Sequence, residues 1–236
     1  MFPLSRHTIF LLTFLGLGLL SGCTYHTHIR RGIYTAPANE NRIDASVLVV
    51  TDSHIPSQVT LAEPDTASLY AFTFDTADGV AVAATDALST LIARADAGPH
   101  TLEPHYDLAA DVKLEAGLTR SNCEENFDHL AAHLTGLCIQ VTLSLRKATS
   151  TEPLSVFSAK RWEAFHTPGV PAAVEWLNKH TLSLLSPVLV PVYTQLKGAA
   201  LRRQFEQNLQ SILHEIIQQA AARQQEWYSL PAAENK

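Results

Sequence analysis

Three cysteines and eleven histidines, with a scatter of carboxylates, are the residues of this chain whose chemistry depends on spacing. Cys123 and Cys138 enclose fourteen residues, at the end of one well-patterned strand and the start of the next. Hairpin geometry would bring the two sulfurs near each other, and closing a loop of that size stabilises by about 3 kcal/mol. Two free thiols or a redox pair are the alternatives, and there is no CxxC. Inside the loop, His129 and His133 are four apart and share a face on a helical turn, with Asp128 nearby. Two imidazoles at that spacing hold zinc or copper once a third ligand joins them. The competing reading is a short amphipathic helix, with Phe127, Leu130, Ala131 and Leu134 on a sheet and both histidines in water. The expectation is no metal and no cofactor, with His129 and His133 the first ligands to test, ahead of His26 and His28.

Catalytic signatures are missing. The chain has no GxSxG elbow, no P-loop and no GxGxxG opening a helix. His214-Glu215 begins like HExxH, but position 218 is Gln, so the zinc pair is incomplete. Asp107, Asp111 and Glu115 recur along the polar face of one strand and read as its solvated side. The expectation is a protein that is not an enzyme.

The third cysteine, Cys23, closes an apolar run. Ile9 to Leu20 follow a basic start with Arg6 and His7. The run is about twelve residues, in the range of a secretory signal and well short of the roughly 20 that span a bilayer. Ser21-Gly22 are small enough for a peptidase to read in extended form. This order, ending Leu20-Ser21-Gly22-Cys23, resembles the lipobox of bacterial lipoproteins. The resemblance implies that residues 1–22 are a signal peptide cut before Cys23, and that Cys23 carries diacylglycerol and further acylation. Thr24 stands where an aspartate would retain such a protein at the inner membrane, which implies the outer membrane, facing the periplasm. That compartment is oxidising and suits a Cys123–Cys138 disulfide.

The elements that would position these residues read as strands first, then helices. Residues 23–44 are polar with no sustained period and read as a lipidated tether, reaching roughly 25 Å if flexible. The sheet domain is expected over 45–167. Ala45 to Thr51 is apolar on both faces, as in a central strand. Leu69 to Phe74 puts Tyr70, Phe72 and Phe74 on one face. A helix is predicted from about Asp78 to Ala95. Leu108 to Glu115 and Ile139 to Arg146 alternate apolar and polar residues, each with one buried face. Leu154 to Phe165 completes a meander. A helical segment over 168–230 packs on the sheet, with Pro187 and Pro191 at a corner. Its longest helix runs from about Val192 to Tyr228, with the stripe Leu201, Phe205, Leu209, Ile212, Ile216 and Ala220. Residues 231–236 are read as a disordered tail. The fold class is α+β: an antiparallel sheet of about four to five strands, with helices on one face and a long C-terminal helix.

Seventeen basic residues against 23 acidic give a net charge of −6, which argues against nucleic acid as a partner. A hydrophobic fraction of 46% argues against general disorder. With the lipobox, the element order resembles outer-membrane lipoproteins of the YajG type, LPS-assembly lipoproteins and transport-auxiliary lipoproteins, over about Ala45 to Leu196. What the resemblance implies is a non-enzymatic assembly or transport-accessory role. The membrane would be reached through Cys23, and an envelope partner through the 200–228 helix. The alternative is a carrier of lipid or a small ligand, in a pocket lined by Tyr70, Phe72 and Phe74.

Overall fold

The computed structural model describes residues 23–35, 42–52, 54–62, 70–118, 136–164 and 186–224. In chain order these form β1 (Cys23–His28), β2 (Ile43–Val50), β3 (Gln58–Ala62), β4 (Tyr70–Asp75), α1 (Ala77–Leu88), β5 (Ile92–Gly98), a 3-10 turn (His100–His105), β6 (Leu108–Gly117), β7 (Gly136–Lys147), β8 (Pro153–Ala164) and α2 (Ser186–Ala222). The fold is α+β, as expected. The single antiparallel sheet is corrected to two sheets of mixed orientation, ordered β1-β4-β3 and β5-β2-β6-β7-β8. β2 lies parallel to both β5 and β6, whereas β6, β7 and β8 form the antiparallel meander.

β2 is central for the reason its sequence gives. Val47 and Val49 point into the main core, while Leu48 and Val50 pack with Ala109 on the opposite face. That opposite face is closed by Tyr106 beside the 3-10 turn. On the core face, Ala110, Val112, Ile139, Val141, Leu143 and Leu145 share one buried cluster with the stripe Leu201, Phe205, Leu209, Ile212, Ile216 and Ala220 of α2, which packs on β7 and β8. Burying that stripe supplies most of what holds so long a helix in place. The stripe is therefore core, and a partner on α2 would have to use its other faces.

Three boundaries differ from the sequence reading. The tether over 23–44 is corrected: β1 opens at Cys23 and pairs in parallel with β4 from Cys23↔Tyr70 to His28↔Asp75. Ile29 and Tyr34 after it are buried in the core. α1 stops at Leu88 rather than Ala95, because the hydroxyls of Ser89 and Thr90 donate to the carbonyls of Asp86 and Ala87. Leu91 and Ala95, which match helical spacing, belong to that turn and to the edge strand β5. Pro187 and Pro191 do not break α2; Pro187 sits in its first turn, where a backbone N–H has no helical partner to lose, and Pro191 one turn further on costs the helix a single bond. The expected tail and most of the segment before α2 lie outside the described residues.

Candidate functional site

β1 gathers the chemistry of the described chain, because it carries Cys23 at its start and two histidines along its length. His26 and His28 are two apart, so the pleat puts both on one face of the sheet. They converge on Asp75, the last residue of β4. His26 Nε2 lies 3.0 Å from Asp75 Oδ1, and His28 Nδ1 lies 2.8 Å from Oδ2. Gln58 Nε2 donates to Asp75 Oδ1 at 2.9 Å from β3. Burial pushes the Asp75 carboxyl up, but the Gln58 and His26 hydrogen bonds and the charges of His26 and His28 together hold it below the usual carboxylate range. Both imidazoles meet the carboxylate instead of offering free lone pairs to one point. Among the described residues no group of three or more His, Cys, Asp or Glu is arranged to hold a metal ion. Asp75 was missed in the sequence because its role depends on strand register. The signal that could have found the pair is His-x-His read as a strand.

The other expected residues divide. Cys138 is buried in β7, opposite Gly117 and Trp162, and is disulfide-bonded. Cys123, His129 and His133 lie outside the described residues. The carrier pocket expected behind the aromatic strand is not formed by Phe72 and Phe74. Both are fully buried, with Tyr25 6.4 Å from each ring and Phe205 5.7 Å from Phe74. His214 and Glu215 face a groove of about 490 Å³ between α2, Arg161 of β8 and Tyr34. Tyr34 is only 6% exposed, and among the described residues its hydroxyl has no hydrogen-bond partner. Burial pushes that phenol's pKa up.

A second charged cluster lies on the opposite face of the larger sheet. Arg146 Nε donates to Asp111 at 2.9 Å, Nη1 donates to Glu103 Oε2 at 3.1 Å, and Nη2 donates to Glu103 Oε1. The Ser150 carbonyl accepts from Nη1 at 3.1 Å. His100 also contacts Glu103. The Glu103 hydrogen bonds hold the guanidinium above its ordinary pKa, against the pull of burial. This cluster pins the 3-10 turn onto the sheet and leaves no open side for a substrate at Arg146. Asp111, read as solvated, is thus part of an ion pair. Asp107 is held by Ser46, whose hydroxyl and backbone N–H donate to it at 2.7 and 2.8 Å.

No family model matches the chain, and no curated protein matches it. A crystal structure of protein XCC0632 from Xanthomonas campestris, of the DUF330 family, is similar over 79% of this chain and 99% of its own, at 14% identity and a TM-score of 0.37. A similarity of that size carries no argument about function.

Proposed function

We propose that the protein is a lipoprotein anchored through Cys23 to the outer membrane, facing the periplasm, where it serves as a non-enzymatic assembly or transport-accessory module. The observation that carries this reading is the junction at Cys23. The lipobox ends at the residue that opens β1, so cleavage before Cys23 leaves the strand and its pairing with β4 whole. A partner on this body would meet the polar faces of α2 or an open strand edge. β8 is the outer strand of its sheet among the described residues, and Val156 on it is exposed. The test is intact mass and membrane fractionation of the native protein beside Cys23→Ala. The expected result is loss of residues 1–22, a gain of lipid mass, and membrane association that disappears in the variant. An unlipidated, freely soluble wild type would overturn the reading.

A second reading, a carrier of a small polar ligand, is favoured by the Tyr34 groove. Arg161 and Glu215 bring both charge signs to a groove that Tyr34 also lines. Native mass spectrometry would show a co-purified small molecule that Arg161→Ala releases; a bare protein in both cases would remove this reading.

A further inference from the structure

α2 and β1 run side by side in the same direction, and three contacts fix their register. Gly198 lies against the Tyr25 ring, Arg202 Nη1 donates to Thr27 Oγ1 at 3.3 Å, and Glu206 accepts from the Arg30 backbone N–H at 3.1 Å. Tyr25 is two strand residues from Cys23, about 6.6 Å. The same distance takes α2 back about four residues from Gly198, to the level of Thr194. The eight residues 186–193 therefore reach about 12 Å past the level of Cys23.

The N-terminal end of α2 is built unlike the rest of the helix. From Ser186 to Ala200 the sequence SPVLVPVYTQLKGAA holds one charge, Lys197, which is buried. Thr194, Gly198 and Leu201 face inward with it. Val192 and Leu196, one turn apart on the opposite face, are 47% and 38% exposed. Charge returns with Arg202 and Arg203, about 13 Å beyond the level of Cys23 on the side of the body. No described helix is long and apolar enough to cross a membrane. An apolar helix end of this length suits the lipid interface instead.

We propose that the exposed face of the N-terminal end of α2, carrying Val192 and Leu196, enters the bilayer interface beside the acyl chains on Cys23. This rests on the reading that Cys23 is lipidated. Because β1 begins at Cys23, no linker separates the anchor from the body. The helix tip and the lipid then act as two attachment points, holding α2 end-on to the membrane and fixing which faces of the body point into the periplasm. The occupant is the bilayer itself, because the tip projects past the residue where lipid would be attached.

The test uses the mature chain with Cys23→Ala, so that binding reports the protein surface alone, floated with phosphatidylethanolamine–phosphatidylglycerol vesicles. The expected result is measurable flotation that falls by about tenfold in Val192→Glu/Leu196→Glu and survives high salt, because apolar insertion drives it. Leu196→Trp, which adds interfacial area at an already exposed position, raises flotation. Thermal unfolding of each variant confirms the fold. Equal flotation of wild type and the double variant, or none by either, overturns the proposal. Intact mass of the native protein scores the lipid on Cys23 separately, so a failure of the anchor is distinguished from a failure of the helix tip.

Discussion

Gly198 of α2 packs directly onto the ring of Tyr25 in β1, so closely that a Cβ at 198 would overlap the root of the ring. That ring is itself buried against Phe72 and Phe74 and has no room to retreat. Gly198→Ala is therefore expected to destabilise by about 1–3 kcal/mol despite the better helix propensity of alanine. Urea unfolding of the two single variants and of Gly198→Ala/Tyr25→Ala measures the coupling. In the Tyr25→Ala background the glycine substitution should cost at least about 1 kcal/mol less. An additive cycle would mean that the helix approach is set elsewhere.

The pair Arg146–Glu103 makes the opposite kind of demand. Both side chains are buried, at 7% and 6% exposure, and each carries much of the other's compensation. Arg146→Met takes the guanidinium away from Glu103 and Asp111 and should cost about 3–5 kcal/mol. Glu103→Leu added to it should recover part of that loss, since two apolar groups need no counter-charge. A double variant as unstable as the sum of the single ones would show that the 3-10 turn is held by some other contact.

How much of this was legible in the sequence follows from how local each signal is. β6 and β7 alternate cleanly because one face lies in the main core and the other is largely polar, and β2 is apolar on both faces because both are covered. β1 was hidden: Cys23–His28 buries Tyr25, and its pairing partner β4 stands more than forty residues away. β3 is five residues long and β5 exposes Ala93 and Arg94, so neither shows a period. The His26–Asp75–His28 cluster failed to show for the same reason as β1, since it exists only in the β1–β4 register. The resemblance of Leu20-Ser21-Gly22-Cys23 to a lipobox is wholly local and needs no fold to be read.

Acid should weaken the fold through Asp107 and Asp75. The Ser46 hydroxyl and N–H hold the Asp107 carboxyl below its ordinary value in the folded state. A group depressed on folding contributes stability that is present above its unfolded pKa and lost as pH falls through the folded one. Stability should thus be flat near neutrality and decline below about pH 4. Ser46→Ala removes the hydroxyl donor, so the Asp107 resonance should titrate at higher pH in NMR and the acid-dependent loss should shrink. An unchanged titration would mean that the backbone N–H of Ser46 does the work alone.

The disulfide at Cys138 gives a prediction about its partner. We propose Cys123, which would close a loop of fourteen residues between β6 and β7. Peptide mapping without reductant should return residues 123 and 138 in one linked fragment. Cys123→Ser should lower stability by about 3 kcal/mol, and dithiothreitol should lower the wild type by a similar amount while leaving the variant unchanged. A linked fragment containing Cys23 instead would refute both this pairing and the lipid on Cys23.

Tyr34 provides a test of the groove that does not require knowing a ligand. Its hydroxyl is buried without a partner among the described residues, and an unsatisfied buried polar group costs about 1–3 kcal/mol. If nothing occupies the groove, Tyr34→Phe removes that cost while keeping the ring in the core, so unfolding free energy should rise by up to about 1 kcal/mol. A ligand bound to the hydroxyl reverses the sign: the native protein then loses stability on substitution, and extensive dialysis of the wild type should lower its Tm toward that of the variant. The sign of one change at one oxygen thus separates a structural tyrosine from a binding one.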